Sequence, residues 1–95
     1  MKAELLLRER FVLSQRAFAE IVIWKLPKPL SHCTHPFKYR MAYVANGRCA
    51  LRFDNEAGKG DHKHVNEIEV PYQFTDLTGL QADFWAAVRR RRRGR

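Results

Sequence analysis

The sequence predicts an α+β fold, in which a small antiparallel β-meander is followed by a C-terminal helix packed on one face of the sheet. Two segments, "FKYRMAYV" and "RCALRFD", alternate apolar and polar residues on either side of Asn46-Gly47, which is a strong hairpin signal. The segment "TDLTGLQADFWAAVRRRR" instead repeats its apolar residues with the period of a helix. Ninety-five residues are enough for one domain with one modest core.

The first part of the chain is predicted to form two strands, over residues 3–13 and 17–26, separated by a polar turn at 14–16. Because the second segment carries apolar residues on both faces, it suits a central strand that is covered on both sides. The first segment also contains good helix formers, but a helix would have no clear stop before Ser14, so we prefer the strand. Three prolines within residues 27–36 then predict a loop, because proline fixes φ and lacks an N–H donor.

The hairpin around Asn46-Gly47 can close through a loop of two or of three residues. A two-residue turn pairs Tyr43 with Ala50, and it sets the apolar face of one strand beside the polar face of the other. A three-residue loop, with Gly47 in a left-handed bulge position, pairs Tyr43 with Cys49, and the faces then agree. Because a one-residue slip would invert every side chain, we predict the three-residue loop. The same pairing gathers four side chains on the polar face: Lys38, Arg40, Arg52 and Asp54.

The last third of the chain is predicted to be extended over residues 61–74, with a break near Asn66, and then helical. Thr75 is a natural N-cap, and Asp76 lies where the helix dipole favours an anion. Arginines in the last turn suit the negative end of that dipole. The apolar stripe expected to face the sheet consists of Leu77, Leu80, Phe84 and Val88, with Trp85 beside it.

The net charge of +8 is concentrated at the C-terminus, where Arg89–Arg93 and Arg95 contribute six positive charges. Without these six arginines the net charge falls to +2, so the body of the chain is only mildly basic. We therefore expect a single domain over residues 1–88 and a basic, arginine-rich tail over 89–95. This charge is compatible with a polyanionic partner but does not by itself establish one.

We expect a cytoplasmic protein without a membrane segment. The N-terminal stretch "MKAELLLRERFVL" is interrupted by charges, unlike a signal peptide, and no apolar run approaches the roughly 20 residues that cross a bilayer. Cys33 and Cys49 form no disulfide framework and no metal-binding spacing by themselves, so we expect both to be free thiols.

Reactive side chains are concentrated in the stretch "RFDNEAGKGDHKH", which covers residues 52–64. His62 and His64 are two residues apart, and on a strand this spacing places both imidazoles on one face. Histidine is the side chain whose ordinary pKa lies nearest to neutrality, so a pair can divide the tasks of base and acid. The sequence does not say which histidine would take which task.

Cations and carboxylates flank the two histidines. Arg52 and Lys59 are suited to hold a phosphate and to stabilise the charge that builds on it, and Asp54 or Asp61 can orient an imidazole. These groups match the needs of metal-free RNA cleavage, in which the ribose 2′-hydroxyl attacks the phosphodiester. The predicted catalytic residues are His62, His64, Asp61, Asp54 and Lys59. The predicted substrate-binding residues are Arg40, Arg52, Lys38 and Lys63.

Other interpretations of the histidines are open at this point. A histidine pair on a polar strand is often no more than solvated surface, and a metal site there needs a third and a fourth ligand. The segment "HCTH" offers His32, Cys33 and His35 as zinc ligands, although within a proline-rich loop. The segment "GKG" lacks the remaining residues of a Walker motif, so nucleotide binding is not expected. We predict no metal and no cofactor.

The segment "LRFDNEAGKGDHKH", with "KYRMAYVANGRC" before it and "YQFTDLTGLQADFW" after it, resembles the TumE toxin family of bacterial toxin–antitoxin modules. The resemblance extends from about Lys2 to Val88. Its most specific part is Arg-aromatic-Asp-Asn at 52–55, followed by Gly-Lys-Gly-Asp-His-x-His at 58–64. The "SHCTH" loop and the arginine tail are not part of the expected pattern, so no function is carried onto them.

The resemblance implies a growth-inhibiting toxin of a type II module, held inactive by a cognate antitoxin with a helix-turn-helix DNA-binding domain. A looser similarity in size and layout links the family to RelE/ParE-like toxins, of which some cut mRNA and others act on gyrase. We predict an endoribonuclease resembling mRNA interferases, with RNA as its partner. The alternatives are a non-catalytic toxin or basic binding module, and a structural metal-binding module. A homodimer is also considered, because a basic sheet edge can pair with a second copy.

Overall fold

Six β-strands follow one another in the same order in the sequence and in the sheet, and each pairs antiparallel with the next. The computed structural model describes residues 2–56 and 58–94. One helix follows the last strand, so the predicted α+β fold with a C-terminal helix is confirmed. The elements are β1 (Glu4–Ser14), β2 (Ala17–Lys25), β3 (Phe37–Ala45), β4 (Arg48–Asp54), β5 (His62–Val65), β6 (Ile68–Pro71) and α1 (Leu77–Arg93).

The N-terminal hairpin forms from the two segments that the sequence assigns to strands, and β1 is not a helix. The alternation in β2 buries Ala19, Ile21 and Ile23 almost completely and leaves the side chains between them half-buried. The helix packs against the buried face, together with side chains of β1, β3 and β4. The expectation that β2 is covered on both sides is therefore met on one face only.

The β3–β4 hairpin closes through a two-residue turn. Ala45 pairs directly with Arg48, and the two residues between them, Asn46 and Gly47, have positive φ angles of 54° and 76°. A type I′ turn requires such angles of both central residues, and asparagine and glycine adopt them at low cost. The predicted three-residue loop is wrong, because Ala45 pairs in the ladder instead of belonging to the loop.

A β-bulge next to this turn restores the agreement between the faces of β3 and β4. Val44 pairs with Cys49, whereas Tyr43 pairs with Leu51, so Ala50 is the extra residue of β4. The predicted pair of Tyr43 with Cys49 is therefore wrong, but the apolar faces still meet as predicted. Without the inserted residue, a two-residue turn would set the apolar face of one strand beside the polar face of the other along the whole hairpin.

The core lies between α1 and one face of the sheet. Leu80, Phe84 and Val88 are almost fully buried, and Phe84 meets Phe53 edge-to-face with 5.6 Å between the ring centroids. On the N-terminal side of the sheet, the ring of Phe11 in β1 contacts the ring of Trp85 in α1 edge-to-face, with 5.1 Å between the centroids. The predicted apolar stripe of the helix is thereby confirmed, and the opposite face of the sheet carries no helix among the described residues.

The first turn of α1 begins one residue later than predicted. Asp76, rather than Thr75, is the N-cap, because its backbone is extended and its side chain accepts a 2.7 Å hydrogen bond from the Gly79 N–H. A capping carboxylate also adds negative charge at the positive end of the helix dipole. The prediction that the helix dipole would favour the Asp76 carboxylate at this end agrees with its position at the cap.

The arginine-rich end of α1 lies against the end of the sheet where the hairpins turn. The helix continues through Arg93, and Arg91 donates a hydrogen bond to the side chain of Asn66. Arg92 Nη1 lies 3.4 Å from the hydroxyl oxygen of Tyr43. The domain boundary placed at residue 88 stays a prediction. Within residues 2–56 and 58–94, no helix combines the length and the apolar character needed to cross a membrane.

Candidate active site on the open sheet face

The sheet face opposite α1 gathers most of the side chains that the sequence singled out. Pairing of β4 with β5 sets Arg52 opposite His64 and Asp54 opposite His62. Pairing of β5 with β6 sets Glu69 opposite His64. Because directly paired residues point to the same face of a sheet, these side chains converge. We call this group, with the neighbouring lysine of the preceding loop, the open-face cluster: Arg52, Asp54, Lys59, His62, His64 and Glu69.

His62 forms the buried part of the open-face cluster, with 4% of its surface exposed. Its Nδ1 lies 3.0 Å from the carbonyl oxygen of Gly60, and this oxygen can only accept, so Nδ1 carries a proton and donates. Its Nε2 lies 2.7 Å from Asp54 Oδ1. The ring is thus oriented from both sides, by a loop carbonyl and by a carboxylate of the neighbouring strand.

Asp54 is the buried carboxylate of the cluster, with 6% of its surface exposed. Its Oδ2 lies 2.9 Å from Arg52 Nε, and its Oδ1 contacts His62. Neither Asp54 Oδ1 nor Arg52 Nε makes an aligned hydrogen bond, although both atoms are shielded from solvent. The contact with Arg52 is therefore a close charge contact without hydrogen-bond alignment, and Asp54 depends on this cation to offset the cost of burying its charge.

His64 is the accessible imidazole, with 26% of its side chain exposed. Arg52 Nη2 lies 3.1 Å from His64 Nε2, and because a guanidinium only donates, Nε2 accepts through its lone pair. The neutral ring then carries its proton on Nδ1. The centroids of the His62 and His64 rings are 5.3 Å apart, so the two imidazoles share one site. Of the two side chains, that of His64 is the more exposed.

Glu69 completes the cluster and was not predicted. Its Oε1 accepts a 2.9 Å hydrogen bond from Lys59 Nζ, and this bond is the main reason why the pKa of Glu69 lies below its ordinary value. Glu69 Oε2 lies 3.9 Å from His62 Nε2, and Glu69 Oε1 lies 3.8 Å from His64 Nε2. The predicted break near Asn66 could have revealed Glu69, because a two-residue turn at this position pairs Glu69 with His64.

Arg40 and Lys38 extend the same face along β3. Arg40 pairs with Asp54, so it lies directly beside the cluster, and it is exposed. Lys38 follows two residues earlier, on the same face, and is half-buried beside its β2 partner Trp24. These two cations and Arg52 therefore line one path across the open face.

Two other predicted site residues lie on the helix side of the sheet. Lys63, between the two histidines on β5, points away from them, and its Nζ lies 5.8 Å from the centroid of the Phe53 ring. Asp61 Oδ1 accepts a 2.7 Å hydrogen bond from the Tyr39 hydroxyl, and both Asp61 oxygens lie within 3.1 Å of His35 Nε2. The structure therefore separates Lys63 and Asp61 from the open-face cluster.

His35 and Asp61 belong to a second polar cluster under the proline-rich loop. His35 is buried, and its ring stacks on Phe74 with 3.7 Å between centroids. Its Nδ1 accepts the N–H of Phe37, so its remaining proton lies on Nε2 and is donated to Asp61. Burial, followed by the hydrogen bond to Asp61, raises the pKa of Tyr39 far above its ordinary value.

Asn55, which follows β4 in the same motif, holds the loop against β3. It is fully buried, its Oδ1 accepts the Tyr39 N–H at 3.0 Å, and its Nδ2 donates to the Phe37 carbonyl at 2.7 Å. Nδ2 also lies 3.7 Å from Cys33 Sγ. Asn55 therefore takes the place of a strand neighbour for β3 where β4 has ended.

Two groups among the described residues offer three metal-ligating atoms that lie within 4.8 Å of one another. One consists of Cys33, His35 and Asp61, and it includes two of the three candidate zinc ligands of the proline-rich loop. The other consists of His62, His64 and Glu69. The second group lies within the open-face cluster, where the histidines have the third partner that the sequence did not reveal.

Comparison with known families identifies the family to which the chain belongs. A family model described as toxin TumE matches residues 2–92, and this range includes all six members of the open-face cluster. No curated protein and no solved structure matches the chain. The similarity of layout to RelE/ParE-like toxins stays a prediction. Because the matched family model covers nearly the whole sequence, the chain belongs to the TumE toxin family.

Proposed function

We propose that this toxin cleaves RNA on the open sheet face, without a metal ion, as an endoribonuclease resembling mRNA interferases. The observation that supports the proposal is the position of His64, whose side chain is 26% exposed and whose Nε2 lies 3.1 Å from Nη2 of the Arg52 guanidinium. A base beside a fixed cation is the arrangement needed to remove a proton next to a phosphate.

In the proposed reaction, His64 Nε2 takes the proton of the ribose 2′-hydroxyl. The 2′-oxygen attacks phosphorus, the bond from phosphorus to the 5′-oxygen breaks, and the Lys59 ammonium gives a proton to the leaving 5′-oxygen. The products are a 2′,3′-cyclic phosphate and a 5′-hydroxyl. Lys59 is suited to this role because more than half of its side chain is exposed, so Nζ can turn from Glu69 to the substrate.

Arg52, Arg40 and Lys38 hold the RNA backbone in this proposal. Arg52 contacts the phosphate that reacts and stabilises the charge that develops on it. Arg40 and Lys38 contact neighbouring phosphates along β3, so binding is expected to weaken as salt concentration rises.

His62, Asp54 and Glu69 are positioning residues. His62 is too deeply buried to meet a leaving group directly, but it contacts Asp54, and Asp54 holds the Nε of Arg52. Glu69 holds Lys59 beside the histidines. This assigns the base role to His64 and leaves Asp61 and Lys63 outside the reaction.

The test uses purified toxin and synthetic RNA. His64→Ala should abolish cleavage and toxicity, whereas Lys63→Gln, on the same strand but on the opposite face, should keep both. Cleaved ends should carry a 2′,3′-cyclic phosphate, and an RNA with a single 2′-deoxy residue at the cut should resist. Full toxicity of a folded His64→Ala variant contradicts the proposed mechanism.

A second candidate function is non-catalytic docking on a target. A cavity of about 290 Å³ on the helix side is lined by apolar and cationic residues: Leu51, Phe53, Lys63, Val65, Ala87, Arg90, Arg91 and Gly94. If this cavity carries the activity, truncation after Val88 removes toxicity and no RNA is shortened. Truncation that leaves RNA cleavage intact favours the open face instead.

A toxin family implies an antitoxin partner in general. The proposal adds that this antitoxin has a helix-turn-helix domain and that the toxin acts in the cytoplasm. A homodimer could form through the edge of β1, where Val12 is strongly exposed. That edge carries two glutamates and two arginines, so it is charged but not basic in net terms. Analytical ultracentrifugation of the toxin alone tests the homodimer, and identification of the co-purified partner by mass spectrometry tests the kind of antitoxin.

A further inference from the structure

Three atoms of the open-face cluster are arranged as metal ligands. One ring nitrogen each of His62 and His64 and one carboxylate oxygen of Glu69 lie within 4.8 Å of one another. Glu69 Oε2 lies 3.9 Å from His62 Nε2, and Glu69 Oε1 lies 3.8 Å from His64 Nε2. Zinc bound to nitrogen and oxygen at about 2.0–2.2 Å separates tetrahedral ligands by roughly 3.4 Å. The two Glu69 contacts are therefore about 0.4–0.5 Å longer than the spacing of ligands around zinc.

The hydrogen bonds of the two histidines leave Nε2 as the ligating atom in each ring. His62 Nδ1 donates to the Gly60 carbonyl, which is the outer contact that orients a metal-binding imidazole. His64 Nε2 has a lone pair that accepts from Arg52 Nη2, and zinc would replace this one contact while Arg52 Nε stays beside Asp54. Both rings thus satisfy the first requirement of a metal ligand.

The buried Asp54 carboxylate provides an independent indication. Its Oδ1 has no aligned hydrogen bond, is shielded from solvent, and faces His62 Nε2 at 2.7 Å. A cation bound on His62 Nε2 would lie next to this buried carboxylate, and the two charges would attract each other strongly in a site shielded from solvent. The site therefore gains electrostatic stabilisation when it is filled by a cation.

The second ligand group, under the proline-rich loop, is held together by hydrogen bonds that involve its own ligand atoms. His35 Nδ1 accepts the Phe37 N–H, so the single proton of the neutral ring is on Nε2 and is donated to Asp61. The Tyr39 hydroxyl occupies Asp61 Oδ1 as well. This cluster is closed by its own hydrogen bonds and serves as the internal control for the open face.

We infer that the open-face cluster binds one zinc ion through His62, His64 and Glu69, and that zinc inhibits the toxin. The inhibitory part rests on the proposed function, because zinc would occupy the lone pair of His64 that acts as the base. Zinc would also displace Lys59 from Glu69, which removes the proton donor from its position. Two imidazoles and one carboxylate favour zinc over magnesium, which prefers oxygen ligands.

The binding test titrates the metal-free, full-length toxin with zinc in competition with a chromophoric chelator. One equivalent should bind, and His64→Ala and Glu69→Gln should each weaken binding by about tenfold or more. Cys33→Ser and Lys63→Gln should bind as the wild type does, and excess magnesium should not compete. Circular dichroism of each variant establishes that it is folded. Unchanged binding in both folded site variants, loss of binding in Cys33→Ser, or no saturable binding overturns the site.

The inhibition test measures RNA cleavage with zinc and after removal of zinc by a chelator. Cleavage should fall as zinc occupies the site and return when the chelator is added. If zinc binds with the expected variant pattern but the protein cuts no RNA, the proposed function fails and the metal site stands. If the protein cuts RNA and binds no zinc, the metal site fails. If cleavage requires zinc, or if the chelator abolishes cleavage, the proposal that zinc inhibits the toxin is overturned.

Discussion

The carbonyl oxygen of Gly60 accepts the Nδ1 proton of His62 at 3.0 Å, and glycine holds that carbonyl in place without strain. Gly60 has a φ of 85°, and a Cβ there would stand 2.8 Å from the carbonyl oxygen of His32. The motif glycine therefore orients the buried imidazole through its backbone.

Gly60→Ala should destabilise the protein by about 2–3 kcal/mol, because it adds backbone strain and a backbone clash. Gly58→Ala is the matched control, since its φ is 77° but a Cβ there meets no described atom within 4 Å. It should cost only about 1 kcal/mol. Urea denaturation compares the two free energies of unfolding, and equal values would contradict the argument.

Asn55→Ala should destabilise the protein by about 2–4 kcal/mol. The substitution removes both hydrogen bonds of a fully buried amide and leaves the Tyr39 N–H and the Phe37 carbonyl without a partner. Glu56→Ala, at the exposed neighbouring position, should change stability little and serves as the control. Thermal unfolding followed by circular dichroism measures both, and a neutral Asn55→Ala would mean that another group fills the amide's place.

Arg52→Lys should lower the cleavage rate constant by about tenfold to a hundredfold while RNA affinity changes little. The guanidinium contacts Asp54 through Nε and His64 through Nη2, and a single ammonium cannot span both positions. Arg40→Lys, at an exposed position beside the cluster, should keep the rate constant near that of the wild type. Single-turnover kinetics with separate binding measurements distinguish the two effects. Equal rate constants for the two variants contradict the role given to Arg52.

Cys33 should react with iodoacetamide more slowly than Cys49 at about pH 8. Burial, followed by the charge of Asp61, raises the pKa of the Cys33 thiol, so less of the reactive thiolate is present at a given pH. Cys49 is exposed. The difference should narrow as the pH rises and should vanish in urea. Mass spectrometry of the two peptides over time measures it, and faster labelling of Cys33 in the folded protein goes against this environment.

Much of the fold could be predicted because its signals are local. Alternation identifies the strands, the apolar stripe identifies α1, and Asn46-Gly47 marks the central hairpin. The register of that hairpin could not be predicted, since a three-residue loop and a two-residue turn with a bulge both bring the apolar faces together. Packing along the whole of β3 and β4 selects between them.

The candidate site divides in the same way. Because His62 and His64 are two residues apart on one strand, the sequence alone placed them on one face of the sheet. The same alternation directs Lys63 away from them. The residues that neighbouring strands place beside these histidines could not be predicted from spacing along the chain. Glu69 enters only through the β5–β6 pairing, and Asp61 leaves the site because its loop turns it towards the second polar cluster.

By itself, the sequence determined the family, the order and type of the elements, and the presence of a histidine pair among cations. The tertiary structure alone decided which carboxylate contacts which imidazole, which histidine is buried, and where the arginine-rich end of α1 lies. Spacing and turn chemistry act over a few residues and can be recognised in the chain. Register, loop direction and burial depend on the summed packing of segments far apart in sequence, and no short stretch of residues contains that sum.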